Sequence, residues 1–314
     1  MKKVRVGVIG LGNMGKNHVR VYSKVANLVA LSDINEEIGS EMASRNGANF
    51  YKDYKEMIEK EQLDAVSVVV PTALHYKFVL DCLEKKIPSL VEKPISVNIA
   101  EAKRMLSISK KYKTLLMVGH VERFNPAIIK LKKIIDSGRL GKVISLLAVR
   151  VGITPPNPAA SDVALDLGIH DVDVFNFLLG RFPNKKKIIK TKLFSKNVAD
   201  SSVLLLEYGK VSGLIQTNWI TPVKLRKLFV SGTEGYVELD YIKQKLVLHD
   251  KILNTRFDGS FYELLSISDK APSKEIYISK KEPLKKELTY FLSNRKNWNA
   301  NNIEDSIQAL KIVN

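Results

Sequence analysis

Two small groups of polar residues in this chain have the types and spacing that proton transfer requires. Lys93 lies between Glu92 and Pro94 at the end of an apolar run, where a lysine can hydrogen-bond a reacting hydroxyl. Further along the chain, Asp166 and His170 are four residues apart, and this spacing places both on one face of a helix. A carboxylate can orient a neighbouring imidazole and fix its tautomer, which makes the ring a proton acceptor near neutral pH. These residues predict an acid–base site.

Each group also has a plainer interpretation. A Glu–Lys neighbour pair is ordinarily a surface pair of little energetic weight. An Asp–His pair can belong to a metal site, but two ligands are too few, and the single cysteine, Cys82, excludes a cysteine cluster. We therefore predict no metal. A polar pair inside an otherwise apolar helix needs a partner or a role, which favours the acid–base interpretation.

The first 33 residues predict the element that would hold a ligand beside such a site. An apolar run ends at Ile9, and Gly10-Leu11-Gly12-Asn13-Met14-Gly15 follows at once. A second apolar run, 28–31, leads to Asp33. The order of strand, glycine turn, helix, strand and acid is that of a dinucleotide-binding unit, whereas the plainer alternative is an ordinary βαβ unit with a glycine-rich turn.

Each residue type in this motif has a physical role. Gly10 allows the tight turn, Gly12 lets the backbone approach a pyrophosphate, and Gly15 lets the helix pack close to the strand. The helix N-terminus, at Asn13 and Met14, offers unpaired N–H groups to phosphate oxygens. Asp33 can accept hydrogen bonds from both ribose hydroxyls and would repel a 2′-phosphate. Since no arginine follows it, the cofactor is predicted to be NAD rather than NADP.

Alternating strand and helix patterns over the first 120 residues predict a doubly wound parallel sheet. Strands are predicted at 3–9, 28–33, 64–70, 88–92 and 114–119, and helices at 13–24, 35–46, 53–60, 74–85 and 98–112. Ligands bind outside the carboxyl ends of such strands. Pro71, Thr72 and His75 follow one strand and Glu92 and Lys93 lie at the end of the next, so all five are candidate cofactor contacts. His75 could instead be a polar residue at a helix start.

The character of the chain changes after Gly119. Helices are predicted at about 126–137 and 162–179, and β-type runs at 187–195, 201–208, 211–219, 224–231, 235–241 and 245–249. Consecutive strands with short turns indicate a mostly antiparallel sheet in an α+β domain. A last helix begins near Asn302. We predict a Rossmann domain at 1–121, a substrate and oligomerisation domain at 122–301, and a C-terminal helix at 302–314.

Composition narrows the classes of protein. No run of about 18 apolar residues predicts a membrane helix, and the N-terminus lacks a signal-peptide pattern, so a cytoplasmic location is expected. The net charge of +17 raises the possibility of a nucleic-acid binder. Lysines are nevertheless spread over the whole chain without a nucleic-acid-binding motif, so we predict no nucleic-acid partner. The charge would still attract an anionic substrate.

Taken together, the glycine motif, the 71–75 turn, Glu92-Lys93-Pro94 and the Asp166–His170 helix resemble the Gfo/Idh/MocA family of NAD(P)-dependent sugar oxidoreductases. The pieces fall in the family's order over essentially the whole chain. Two further segments, 119–127 and 218–226, are similar to the members that oxidise UDP-N-acetylglucosamine at C3.

The resemblance implies a Rossmann domain followed by an α/β domain whose open sheet often serves subunit association, as a homodimer or homotetramer. It also implies that Lys93, Asp166 and His170 hold the catalytic positions. Arg123 and Asn125 are candidate substrate contacts and Arg226 a candidate diphosphate contact, although all three could be structural. Other sugar or cyclitol dehydrogenases, and a non-enzymatic NAD-dependent sensor, share the fold and stay open at this point.

Overall fold

The computed structural model describes residues 3–153, 162–194, 197–251 and 272–314. They divide into two compact units. The first consists of Met1–Phe124 with Glu282–Ile312 and Asn314, and the second of Asn125–Lys281 with Val313.

The first unit is built on a six-stranded parallel sheet in the order β3-β2-β1-β4-β5-β6. Its strands are β1 (Arg5–Ile9), β2 (Asn27–Ser32), β3 (Asn49–Tyr51), β4 (Ala65–Val68), β5 (Ser89–Glu92) and β6 (Leu116–Gly119). Every residue of the last three is buried, as expected for strands covered by helices on both faces. The predicted Rossmann-type sheet is confirmed, with the short strand β3 in addition.

Five helices connect these strands. They are α1 (Asn13–Val25), α2 (Glu36–Asn46), α3 (Tyr54–Lys60), α4 (Thr72–Glu84) and α5 (Ile99–Tyr112). Asn35, Asp53 and Asn98 cap the N-termini of α2, α3 and α5 by accepting backbone N–H groups, which explains why these helices begin where they do. The predicted helices agree with the observed ones to within two residues at each end.

A helix from the far end of the chain completes the first unit. Helix α8 (Pro283–Asn294) places Leu284, Leu288, Phe291 and Leu292 in the same buried cluster as Val19 and Tyr22 of α1. Our sequence boundary at 301 put this stretch in the second domain. The i, i+4, i+7, i+8 spacing of its apolar residues forms one stripe, and that stripe is buried against the first unit's core.

The edge of the parallel sheet is closed by one side chain. Asn302 accepts a hydrogen bond from the Val118 N–H at 2.7 Å and donates one to the Val118 carbonyl at 2.9 Å. This satisfies backbone groups of strand β6 that would otherwise be unpaired at the sheet edge. Helix α9 (Ile303–Val313) follows, close to the start predicted at Asn302.

The second unit carries an eight-stranded sheet in the order β14-β13-β12-β11-β7-β10-β9-β8. Its strands are β7 (Val143–Ile153), β8 (Lys185–Thr191), β9 (Ser201–Tyr208), β10 (Val211–Asn218), β11 (Ile220–Gly232), β12 (Gly235–Asp240), β13 (Lys245–Asp250) and β14 (Ser273–Glu275). All pairs are antiparallel except β7 with β10, which is parallel. The predicted mostly antiparallel sheet is confirmed, although we predicted no strand at 143–153, and residue 195 of the predicted 187–195 strand lies outside the described residues.

Helices cover one face of this sheet. Helix α6 (Pro126–Asp136) and helix α7 (Ile169–Leu179), preceded by a π-helical turn at Ala164–Gly168, bury apolar side chains there. The opposite face exposes Leu147 and Leu205. Within the described ranges, no helix is long and apolar enough to span a bilayer, and no group of three potential metal-ligating side chains occurs.

Candidate active site

The glycine turn after β1 has the geometry that its sequence predicts. Gly10 has a φ of +92°, and a Cβ there would lie 2.5 Å from the Val69 carbonyl oxygen. A Cβ on Gly15 would lie 2.0 Å from the Gly10 carbonyl oxygen. A Cβ on Gly12 would meet nothing within 4 Å. The first and third glycines are therefore required by the fold itself, whereas the second keeps open the space in front of the turn.

This difference predicts opposite results for two substitutions. We expect Gly15→Ala to destabilise the protein by about 1–3 kcal/mol, since its Cβ would overlap backbone atoms. We expect Gly12→Ala to leave stability unchanged and to weaken NAD binding, because its Cβ would occupy the space that a pyrophosphate needs. Urea unfolding and calorimetric NAD titration of both variants check this, and equal NAD affinity in Gly12→Ala and the wild type would contradict it.

Asp33 lies beside the turn and fits the ribose of a dinucleotide. Its Oδ2 accepts the Leu11 N–H at 2.6 Å and its Oδ1 accepts the Asn35 N–H at 2.8 Å. These two bonds fix the carboxylate at the end of β2 and leave further lone pairs for ribose hydroxyls.

Asp33 borders a cavity of about 490 Å³, whose other walls include Tyr54 and Phe78. The two rings stack at 3.9 Å. The cavity is also lined by Gly10, Gly12 and Pro71. An apolar slot beside a fixed carboxylate and an open glycine turn suits an adenosine and its pyrophosphate, so the described residues fit NAD.

His75 has a different place from the one we predicted for a cofactor contact. Its ring is 1% exposed. Nδ1 lies 2.9 Å from the Pro94 carbonyl oxygen and Nε2 lies 2.9 Å from the Val70 carbonyl oxygen. Burial lowers the pKa of His75, against the two carbonyl acceptors, which favour the protonated ring. The ring thus links two backbone segments, while Pro71 and Thr72 stay at the carboxyl edge of the sheet, where we predicted them.

Glu92 and Lys93 are not a surface pair. Glu92 ends strand β5 and is buried, with its Oε1 3.1 Å from Nε2 of His18. Its Oε2 accepts the Lys93 N–H at 3.2 Å. Burial disfavours the charged carboxylate, but the hydrogen bond and charge of His18 and the charge of Lys93 outweigh it, so the pKa of Glu92 lies below its usual value. The partly exposed Lys93 follows at the carboxyl edge, and the Lys93–Pro94 peptide is cis.

In the second unit, Asp166 and His170 lie where a π-helical turn passes into helix α7. Both are partly exposed, unlike Asp171 and Asp173, which are buried. We predicted one continuous helix over 162–179, and the π-helical turn is a local departure from it. Such turns are frequent at functional sites.

Sequence reasoning missed the buried network next to His170. Arg150 donates from Nε to Asp171 Oδ2 at 2.6 Å and from Nη2 to Oδ1 at 3.0 Å. The Tyr241 hydroxyl donates to the same Oδ1 at 2.9 Å, and the Arg150 guanidinium lies 4.9 Å from the Tyr241 ring centroid. This network fixes the first turn of α7 to strand β7. The sequence signal for this network was Arg150, a charged residue inside the otherwise apolar run 146–151.

The three candidate substrate residues have partners within their own units. Arg123 donates to Asp305 at 2.8 Å in the first unit. Asn125 is buried and caps α6 by accepting the Ala127 N–H. Arg226 donates to the Val151 carbonyl at 2.8 Å. Because Arg226 pairs directly with Arg150, both side chains leave the sheet on the helix-covered face.

An NAD-binding parallel-sheet unit, joined in one chain to an α+β unit with an Asp–His helix turn, is the architecture of a two-domain dehydrogenase. Residues 4–120 match the family model described as "Oxidoreductase family, NAD-binding Rossmann fold", and residues 128–238 match the model of the GFO/IDH/MocA C-terminal domain. The chain belongs to the GFO/IDH/MocA family of oxidoreductases, and the predicted family and the NAD cofactor are confirmed.

Similar proteins include inositol dehydrogenases and a nucleotide-sugar dehydrogenase. A myo-inositol 2-dehydrogenase of Thermotoga maritima is 29% identical over 262 residues, which are 78% of each chain. A UDP-N-acetylglucosamine 3-dehydrogenase of Acidithiobacillus ferrooxidans is 24% identical over 294 residues, covering 93% of this chain and 89% of that one. A solved structure of the Acidithiobacillus ferrooxidans enzyme has a TM-score of 0.85 at 20% identity, covering 100% of this chain and 96% of its own, and supports the fold.

Proposed function

We propose that this protein is an NAD-dependent dehydrogenase that oxidises C3 of UDP-N-acetylglucosamine to the 3-keto sugar. The observation that carries the proposal is Lys93, held between a buried Glu92 and Pro94 at the carboxyl edge of the parallel sheet. The glycine turn after β1 and the loop after β4 end at this same edge. Ligands of open parallel sheets bind there, so a lysine at this position can contact a reacting hydroxyl.

The chain's own residues would divide the work of proton transfer and orientation. Lys93 hydrogen-bonds the hydroxyl, His170 accepts its proton, and Asp166 orients the imidazole or the sugar. When bound, the nicotinamide of NAD supplies the hydride acceptor. Arg123 is a proposed substrate contact and Arg226 a proposed contact of the diphosphate. Asn125, which the sequence also suggested, is not proposed as one, because it is buried and both polar atoms of its amide have partners in the protein.

A second candidate is a free sugar or cyclitol as the substrate. The Thermotoga maritima inositol dehydrogenase has the higher sequence identity of the two relatives, whereas the UDP-N-acetylglucosamine enzyme matches more of the chain. The net charge of +17 would favour the anionic nucleotide sugar by attraction at long range. A cytoplasmic location stays a prediction from the sequence.

A substrate panel separates the two candidates. NADH formation is followed by absorbance with UDP-N-acetylglucosamine, other UDP-sugars, myo-inositol and simple sugars. We expect the highest kcat/KM with UDP-N-acetylglucosamine. Arg226→Gln is expected to raise the KM for UDP-sugars and to leave the KM for myo-inositol and simple sugars unchanged. Highest turnover with myo-inositol would select the second candidate. If no compound of the panel yields NADH, the non-enzymatic NAD-dependent sensor becomes the favoured function.

The charge of Asp33 predicts the choice between the two dinucleotides. We expect NAD to bind more than about tenfold more tightly than NADP, because like charges held together cost several kcal/mol. Calorimetric titration of both cofactors measures this preference. In the matched variant Asp33→Asn, which keeps one acceptor oxygen and loses the charge, the preference is expected to shrink. Equal binding of NADP to the wild type would refute the assignment.

We also propose that the open face of the second unit's sheet joins two copies of the chain. One row across this face contains adjacent apolar side chains, Leu205, Leu214, Leu147 and Phe229. Lys187 lies at one end of the row and Glu238 at the other. In a two-fold pairing of this face with itself, the basic end of one copy can meet the acidic end of the other.

Disrupting this row is expected to produce monomers. Leu147→Asp places a charge in the centre of the apolar row, so the mass measured by light scattering after size-exclusion chromatography should fall to that of one chain. Phe182→Asp changes an exposed apolar residue outside the row and serves as the control. A wild-type protein that is already monomeric would contradict the proposal.

A further inference from the structure

Lys93 has a buried histidine bonded to the residue on each side of it. On one side, Nε2 of His18 lies 3.1 Å from Oε1 of Glu92. On the other side, Nδ1 of His75 lies 2.9 Å from the Pro94 carbonyl oxygen. His18 is 0% exposed and His75 is 1% exposed. The two rings come from different helices, and neither ring is at a surface that a substrate could touch.

His18 fixes the side chain of Glu92 inside the first unit. It lies in α1, the helix that follows the glycine turn, and Glu92 in turn accepts the Lys93 N–H at 3.2 Å. The Glu92 carboxylate fills the space next to Gly119, where a Cβ would lie 3.1 Å from Oε1. This close packing leaves the carboxylate little room for a second position.

His75 fixes the backbone on the other side of Lys93. It lies in the first turns of α4, and its second ring nitrogen, Nε2, faces the Val70 carbonyl oxygen at 2.9 Å. The ring therefore lies between the loop after β4 and the loop after β5, and as a neutral imidazole protonated on Nδ1 it donates to the Pro94 carbonyl. Strand β5 ends at Glu92, so no sheet hydrogen bond holds Pro94, and the His75 ring takes that role.

We propose that His18 and His75 are positioning residues for Lys93, one acting through the Glu92 side chain and the other through the Pro94 carbonyl. The inference rests on the proposed function, in which Lys93 contacts the reacting hydroxyl. A displacement of about 1 Å at a reacting group lowers the rate about a hundredfold. Lys93 lies just beyond the end of a strand, so fixing the residue on each side of it keeps its side chain in the position that the reaction requires. Neither histidine exchanges a proton with the substrate.

Other ionisable groups lie close to His18. Tyr22, one turn after His18 in α1, bonds Ser67 through its hydroxyl at 2.8 Å. Burial raises the pKa of Tyr22, the hydrogen bond with Ser67 lowers it, and the charges of the buried Glu287 of α8 and of Glu92 raise it further. Tyr22→Phe offers a matched control, because it keeps the ring that lies edge-on to His18 at 6.2 Å and removes only the hydroxyl that bonds Ser67.

The test compares removal of each histidine with its conservative replacement. His18→Leu and His75→Leu abolish the bonds, whereas His18→Gln keeps an N–H donor near the position of Nε2. Lys93 is acetylated in the free protein at fixed pH, and its labelling rate relative to exposed Lys103 is read by mass spectrometry. We expect the ratio to change severalfold in both Leu variants, to be restored in His18→Gln, and to stay at the wild-type value in Tyr22→Phe.

Kinetics supply the second readout. Once a substrate is identified, kcat is expected to fall about tenfold to a hundredfold in the Leu variants with little change in the KM for NAD. The labelling arm needs no substrate, so failure of the proposed function and failure of this inference are distinguishable. If a Leu variant does not fold, Glu92→Gln, which keeps the shape and loses the charge, decides the His18 arm. His75→Gln, which has no donor at the position of Nδ1 and so loses the bond to Pro94, decides the other. An unchanged Lys93 labelling ratio in the folded variants overturns the inference.

Discussion

Replacement of Lys93 by Met is expected to lower kcat by about 10²- to 10⁴-fold, the range that a positioned acid–base group supplies. The affinity for NAD should change little, because the glycine turn and Asp33 are proposed to bind the other end of the cofactor. His170→Asn is expected to cause a loss of similar size, since both residues are proposed to act on one hydroxyl. Steady-state kinetics with the best substrate of the panel, together with calorimetric NAD titration, measure both effects.

Lys103→Met is the matched control for this pair. Lys103 is an exposed lysine of helix α5 in the same unit, so its replacement should leave both kcat and NAD affinity at wild-type values. The pH dependence of kcat in the two active-site variants then assigns the proton acceptor: the group whose loss removes the acid limb of the profile is the base. Rates near the wild type in both Lys93→Met and His170→Asn would refute the catalytic assignment.

The variant Asp171→Asn is expected to lose about 3–5 kcal/mol of unfolding free energy, because it leaves the buried Arg150 guanidinium without its counter-charge. The pair is almost fully buried, with side-chain exposures of 5% for Arg150 and 1% for Asp171. The one amide oxygen that Asn keeps would have to accept from Arg150 and Tyr241, whose three donors now share two carboxylate oxygens. Urea unfolding followed by circular dichroism measures the loss.

Two further variants test whether the loss of stability comes from the buried charge of Arg150. Asp136→Asn removes one partner of the exposed Lys132–Asp136 pair and is expected to cost less than about 1 kcal/mol. The double variant Arg150→Met with Asp171→Leu removes both buried charges and should recover part of the stability lost in Asp171→Asn. A single Asp171→Asn variant as stable as Asp136→Asn would show that the network does not hold helix α7.

The parallel sheet could be predicted from the sequence because its signals are local. Each strand is a short apolar run, each helix begins at a capping or glycine signal, and the carboxyl edge follows from the order of the elements. That is why Asp33, Pro71 and Lys93 could be assigned to one edge without coordinates. The second sheet was harder to predict, since its central strand β7 pairs in parallel with β10, and the paired residues, such as Ser145 and Ser212, are 67 positions apart in the chain.

The parts that could not be predicted depend on partners distant in sequence. His75 is a helix-start residue by pattern, and only the fold brings Pro94 to its ring. An Asn directly before a Pro is a local signal for a helix cap, so the capping role of Asn125 could have been predicted. We instead interpreted Asn125 as a candidate substrate contact. The Arg150–Asp171 pair joins residues 21 positions apart, and a buried arginine in a strand reveals nothing of its partner until the sheet is assembled.

The return of helix α8 to the parallel sheet has a consequence for the order in which the protein forms. Residues 125–281 are inserted between two stretches of one unit, so a nascent chain released only as far as Phe124 lacks the side chains that cover Val19 and Tyr22. Domains commonly fold as they leave the ribosome, from the N-terminus onward. The six strands of the nucleotide-binding unit are complete at Gly119, but the apolar core around Val19 and Tyr22 is completed only by the side chains of α8, after nearly the entire chain has been synthesised.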